Sequence, residues 1–417
     1  MELYIHIPFC AKKCRYCDFL SFSGKEACFK DYIGALCEEL ESYRTLIREK
    51  GLDTVFIGGG TPSVLPADVT EALLKKINSL AEDAGKPIGE YTIECNPGTL
   101  DAGKLRLYRK YGINRLSIGL QSADDKELAL LGRIHDHACF LDNYRLAREA
   151  GFDNINIDLI SALPGQTLSS WERTLRSTAK LGPEHISAYS LIIEPGTPFF
   201  EIYGGDGRKP DDVHGDPGCC SDGDCKENNS TIRTDIAIHE NLPPLPDEDT
   251  EREIYRMTVR ILGEYGYGRY EISNYSKPGF ESKHNLGYWT GADYIGAGLG
   301  ASSYLCERRA DGRLLNGVRF KNTDDLNDYI AGRRDRKEEE SLTLRDLIGE
   351  YIMLHLRLTE GFCAGEFERL FGQSVYDLFG DVIAKYTELG LMEDKGGFIR
   401  LTEDGLDVSN AIMSEFI

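Results

Sequence analysis

The chain has 417 residues, 41% hydrophobic and 28% charged, which suits a soluble globular protein of one large and one small domain. A net charge of −21 argues against nucleic acid as a partner, and no apolar run reaches the length of a membrane span. The twelve cysteines are mostly scattered singly, behind an N-terminus that opens on a strand rather than an export signal, so a reducing, cytoplasmic setting is expected.

Taken in order, short apolar runs at 3–7, 54–57, 91–95, 115–120, 154–160 and 185–193 alternate with amphipathic stretches at 29–48, 67–80, 138–150 and 168–181. Strands that each lead into a crossover predict an α/β fold whose parallel sheet curls into a partial barrel. The loops after the strands then share one face, where ligand chemistry collects.

The first of those loops is the most telling. Cys10, Cys14 and Cys17 stand in a C-x3-C-x2-C spacing directly after the first strand. Thiolates suit soft metals and iron–sulfur clusters. A structural zinc site is normally closed by four ligands, so a bare triad suggests a cluster with one iron left open. A zinc knuckle completed by His6 or a distant side chain is the competing reading. The spacing, with Tyr16 before the last cysteine, resembles the signature of the radical S-adenosylmethionine (SAM) superfamily. The string His6-Ile7-Pro8-Phe9-Cys10 resembles its coproporphyrinogen-dehydrogenase-like branch. The resemblance implies a partial (β/α)6 barrel, a [4Fe–4S] cluster on the three cysteines and SAM on its open iron. It also implies a reduced electron donor such as flavodoxin or ferredoxin.

Later strand ends carry further motifs. Gly58-Gly59-Gly60-Thr61-Pro62 follows the second strand and lacks the spacing of a phosphate loop; without side chains its backbone can approach a ligand closely, though a tight turn into a helix would read the same. In the resembled family this triplet contacts the methionyl amine of SAM. Glu94 closes the third strand, where a carboxylate can accept from ribose hydroxyls. Gln121 ends the fourth, Arg133 follows in Leu131-Gly132-Arg133-Ile134-His135, and Asp158 lies in the fifth. By resemblance these four, together with Tyr4 and Thr61, are SAM contacts, Arg133 near the carboxylate.

The pattern breaks over 204–240, with nine acidic against four basic residues and little to bury, so a mobile acidic insertion is expected there. Within it His214, Cys219, Cys220 and Cys225 could bind a metal, although adjacent cysteines are awkward ligands. Residues 1–203 thus form the barrel with its cluster loop, and 241–335 complete it.

That second part contains His284-Asn285-Leu286-Gly287-Tyr288-Trp289, which resembles a hallmark of the haem chaperone branch, HemW. Its histidine is a proposed haem ligand there, and neighbouring aromatics can stack on a porphyrin; His135 is the next candidate. The bland alternative is a loop histidine bonded to backbone. The glycine-rich 296–303 is expected to pack backbone against the barrel mouth, and the charged run 333–340 reads as a solvated linker. Residues 341–417 predict three helices, a two-strand wing and a last helix over about 402–413. That winged-helix-like module, given the acidic balance, suits a lid or docking surface.

One position separates two functions. The decarboxylating coproporphyrinogen III dehydrogenases carry a further cysteine two residues after the third, where this chain has Phe19. Together with the 284–289 string, this favours a chaperone that binds haem and delivers it to an apo-haemoprotein, respiratory proteins among the acceptors. The alternative is an oxygen-independent coproporphyrinogen III oxidase.

Overall fold

Strand β1 (Glu2–Ile7) sets the pattern: Leu3, Ile5 and Ile7 are buried in the apolar core, while Glu2, Tyr4 and His6 occupy the opposite face. Strands β2 (Thr54–Gly59), β3 (Glu90–Cys95), β4 (Arg115–Gln121), β5 (Ile155–Ser161) and β6 (His185–Ser190) follow in parallel, in sequence order. Their outer face is apolar and takes the crossover helices Phe29–Ser42, Ala67–Ala84, Ala102–Lys110, His137–Glu149 and Leu168–Lys180. Asp101, Asp136 and Thr167 cap the last three of these through side-chain oxygens, which fixes where each loop ends and each helix begins. In this computed structural model the described residues are 1–204 and 242–417. The expectations for His214, Cys219, Cys220 and Cys225 fall outside them.

Both edges of the six parallel strands are extended. β7 (Gly268–Arg269) and β8 (Asn274–Ser276) join antiparallel beyond β6. On the other side β9 (Tyr294–Ala297) runs parallel to β1. The antiparallel β10 (Ser302–Arg308), β11 (Leu314–Lys321) and β12 (Lys337–Leu342) follow it. The result is one open, twelve-stranded sheet in the order β12-β11-β10-β9-β1-β2-β3-β4-β5-β6-β8-β7. At Gly298, φ is +110° and a Cβ would lie 2.6 Å from the His6 carbonyl, so the 296–303 segment does bring backbone against backbone.

The charged run 333–340 is not wholly a linker. From Lys337 it is the outer strand β12, with Gly317 opposite Leu342 and Arg319 opposite Glu340. Five of its six residues are exposed, so charge is tolerated on both faces of an edge strand and discourages pairing with another chain.

The C-terminal part packs helices Leu344–His355, Ala364–Phe371 and Val375–Glu388 around a second apolar core that also takes Tyr304, Cys306 and Leu314 from β10 and β11. Its wing has three strands rather than two, since β13 (Phe362–Cys363) pairs with β15 (Phe398–Leu401) beside β14 (Met392–Lys395). The last helix is broken at Val408, where φ is −121°, into Glu403–Asp407 and Ser409–Met413. Among the described residues no helix is long and apolar enough to cross a membrane.

Candidate functional site

Along β3, β4 and β5 the positions on the inner face are mostly polar. Register brings Thr92 beside Arg115, Glu94 beside Ser117, Ser117 beside Asn156, and Asp158 beside Ser187. These side chains bond one another: Ser117 Oγ donates to Asp158 Oδ2 at 3.0 Å and Asn156 Nδ2 to Asp158 Oδ1 at 2.8 Å. Arg115 is 2% exposed and its Nε has no partner. Burial and the facing Asp158 push the Glu94 carboxyl up to about 8, against the pull of the Gly59 N–H and Arg115. Asp158 is raised too, chiefly by burial. An interior of this kind rewards a cation.

The cysteine loop crosses the C-terminal ends of these strands. It is tied at its base by Cys10 N–H to Phe22 C=O at 2.9 Å, and farther along by Arg15 N–H to Leu131 C=O at 3.0 Å. The Arg15 carbonyl accepts from Phe199 N–H, also at 3.0 Å. Anchored in this way, the loop holds three half-buried free thiols over an open cleft. The same cleft is lined by Gly59, Gly60, Thr61, Glu94, Gln121, Arg133 and Asp158, so ten of the expected cluster and SAM residues meet in one place. Gln121 sits at a break in register between β4 and β5, with φ at +72°.

Donors already point at the sulfurs. Thr61 Oγ1 donates to Cys10 Sγ at 3.4 Å and Arg133 Nη1 to Cys14 Sγ at 3.5 Å. Such support fits thiolates that carry a cluster. No three His, Cys, Asp or Glu side chains among the described residues are gathered so as to hold one metal ion. His6 is unavailable to close a zinc knuckle: its Nε2–H donates to Leu20 C=O at 2.8 Å and its Nδ1 accepts from the Tyr4 hydroxyl at 3.0 Å. Three thiols on one loop, with donors on Cys10 and Cys14, are a set that an iron–sulfur cluster would accept.

The glycine triplet has a reason inside the protein. A Cβ on Gly58 would meet the Phe56 ring at 2.8 Å, one on Gly59 the His6 ring at 2.6 Å, and one on Gly60 the Phe9 carbonyl at 2.7 Å. Gly59 N–H donates to Glu94 Oε2 at 3.1 Å, so the turn orients that carboxylate. Asn96 escaped the sequence reading, yet it joins the site: it donates to Thr61 Oγ1 and accepts from Arg133 Nη2, both at 2.8 Å. The polar alternation Arg115–Ser117 and Asn156–Asp158 within buried strands was the available signal for the rest.

Tyr4 and His284 lie elsewhere, on a second, open cavity walled also by Phe56, Tyr288, Tyr294 and Lys321. Asp18 and Phe19 line both cavities. His284 is 1% exposed and stacked on Phe56 with ring centres 5.2 Å apart. Its Nδ1 pairs with Thr54 Oγ1 at 2.7 Å and its Nε2 with the Tyr288 hydroxyl at 3.2 Å. Burial, with Arg115 adding to it, holds its pKa down to about 3, so the ring is neutral. Glu90 accepts from Ser282 Oγ and from the Lys283 and His284 N–H groups, which seats helix Lys283–Trp289 on the sheet.

Comparison with known proteins agrees with this geometry. The family model for the radical SAM superfamily matches residues 4–178 and that for the HemN C-terminal domain matches 342–408. The haem chaperone HemW of Bacillus subtilis is 32% identical over 99% of this chain and 98% of its own length. That of Escherichia coli is also 32% identical, over 100% and 98% respectively. In fold, the chain superposes on the coproporphyrinogen III oxidase HemN of E. coli with a TM-score of 0.75 at 22% identity, covering 100% of this chain and 89% of that one. On these grounds, the chain belongs to the haem chaperone HemW family within the radical SAM superfamily.

Proposed function

We propose that this protein is a haem carrier that holds a [4Fe–4S] cluster on Cys10, Cys14 and Cys17, binds SAM in the adjoining cleft, and passes haem to an apo-haemoprotein. The observation that carries the proposal is the end-to-end likeness to proteins named haem chaperone HemW. The convergence of the three thiols with Glu94, Gln121, Arg133 and Asp158 supports the cofactor part. Cluster and SAM together supply one-electron chemistry when bound.

The chain's own residues divide the remaining work. Arg133 offers a buried guanidinium for the SAM carboxylate, Glu94 and Asp158 accept from its hydroxyls and favour its sulfonium charge, and Thr61 and Arg133 steady the sulfurs. Phe19 is 60% exposed on the rim shared by the two cavities, where a dehydrogenase would carry a further cysteine. Haem is assigned to the second cavity, whose aromatic walls suit a porphyrin face. Ligation by His284 Nε2 requires the Tyr288 hydroxyl to give way. A reduced flavodoxin- or ferredoxin-type donor and an apo-haemoprotein acceptor complete the proposal.

The test is an anaerobic assay of the reconstituted protein with coproporphyrinogen III beside a haem titration and a transfer assay. The proposal expects a saturable Soret change, transfer to an apo-haemoprotein and no porphyrinogen product. Multiple-turnover formation of protoporphyrinogen IX would replace the carrier with an oxidase.

A further inference from the structure

One row of residues crosses the floor of the second cavity, over five strands. Tyr4 of β1 stands beside Phe56 of β2 on one side and Gly296 of β9 on the other. Gly296 lies against Ser302 of β10, two residues along from the Tyr294–Tyr304 pair, and opposite Ser302 comes Lys321 of β11. Neighbours across a sheet point to the same face, so the row reads aromatic, aromatic, glycine, serine, lysine. Tyr4 and Phe56 stack with ring centres 6.3 Å apart, while Gly296 and Ser302 leave little side chain between them and Lys321. At about 4.8 Å per strand, Tyr4 and Lys321 are about 14 Å apart along the sheet. That span suits a porphyrin, from a pyrrole edge to its propionates.

Besides the histidines, Lys321 is the one basic side chain among the described residues that line this cavity. The strand beside it is built so as to leave it uncommitted. Pairing of β11 with β12 passes from Arg319–Glu340 to Lys321–Lys337, so Glu338 and Glu339 together oppose Phe320. Unbroken register would have set Glu338 across from Lys321. Instead Glu338 takes a φ of +51°, a left-handed conformation that costs a glutamate strain, and a second lysine stands opposite. Lys337 is engaged by Asp324 at 2.5 Å. For Lys321 the carboxylate within reach is Glu338 Oε1, at 3.8 Å on a side chain 73% exposed, so that pair contributes little. In a chain of net charge −21, with Asp18 also on the cavity, a bound dicarboxylate needs this ammonium.

We propose that Lys321 Nζ holds a propionate of haem laid along this row, with the apolar edge of the macrocycle towards Tyr4 and Phe56. Lys321 then sets which end of the molecule enters first. This rests on the haem reading of the cavity. It assigns recognition of the carboxylates to β11, at the opposite end of the row from His284, which stacks on Phe56.

Dissociation constants from Soret titrations of the anaerobically reconstituted full chain, with ferric haem and with its dimethyl ester, test it. The ester keeps the iron and the macrocycle and caps both propionates. Lys321→Met, which keeps an apolar stem, should weaken haem about tenfold while the ester changes less than about twofold. Lys321→Arg should recover most of the loss. Iron content and melting temperature, read on each variant, identify the folded ones, and Lys321→Gln serves if the methionine variant does not fold. Equal haem affinity in wild type and a folded Lys321→Met variant overturns the inference and leaves the haem carrier standing. Equal weakening of both porphyrins also overturns it, since that marks a packing role. A wild-type protein with no saturable Soret change for either porphyrin overturns the haem reading itself, and this inference with it.

Discussion

The two cavities that meet at Asp18 and Phe19 are built on opposite principles. The cleft under the cysteine loop is incomplete: its thiols are free and the carboxyls of Glu94 and Asp158 are raised. At His284 both ring nitrogens are paired and the ring is stacked on Phe56, while Glu2 Oε2, 3.8 Å from Nδ1, and Trp289 Nε1 are buried without hydrogen-bond partners. Even the glycine of the 284–289 string is accounted for internally, because a Cβ on Gly287 would fall 1.6 Å from Glu2 Oε1. The first region is shaped for a visitor. The second is a joint that binds the Lys283–Trp289 helix to the starts of β1, β2 and β3, and haem must open it to use the histidine.

The contrast can be broken most sharply at the cysteines. Replacing Cys10, Cys14 and Cys17 together by Ala should abolish iron uptake and the thiolate-to-iron charge-transfer absorbance, with folding unchanged. Retention of the iron and its absorbance would move the cluster elsewhere. Next in size, Gly287→Ala should cost about 3 kcal/mol in chemical denaturation, since the carboxyl it strikes is itself buried. Gly263→Ala, in a helix with open space around the new methyl, should instead stabilise by about 0.5–1 kcal/mol. A Gly287 variant as stable as wild type would deny that the 284–289 string is a joint. Arg133→Ala should weaken SAM by about 1.5–3 kcal/mol without loss of fold, and unchanged affinity would remove it from the site.

The smallest effect is on pH. Glu94 stands at about 8 in the fold against 4.5 in the unfolded chain, so the native state holds the extra proton between those values. Its contribution to stability is present below pH 4.5 and is lost as the pH climbs through 8. Glu94→Gln should flatten that decline in the melting temperature of the cofactor-free protein, and SAM affinity of the wild type should rise with pH over the same window. An unchanged slope in the variant would place the titration on another group, such as Glu2, which burial and Glu90 also raise to about 8.

Much of the cleft was legible because strand ends in a parallel sheet converge whatever the helices do: Cys10, Glu94, Gln121 and Asp158 could be placed by counting strands. Asn96 and Arg115 were not, since their roles depend on which side chains face each other across register. The strand β12 was hidden by its composition, for an edge strand can be charged throughout. His284 was found as a motif, but its neighbours Glu2, Thr54 and Glu90 are far away in sequence, and only the fold shows that it is locked.

The separation of cleft and joint is tested most directly by recording iron content and the haem Soret spectrum on the same preparations of wild type, the triple cysteine variant and His284→Ala. The cysteine variant should lose its iron and keep the Soret change. His284→Ala should keep its iron and show an altered Soret band with slower haem transfer. A cysteine variant that no longer binds haem, or a His284 variant with an unaltered haem spectrum, would contradict it.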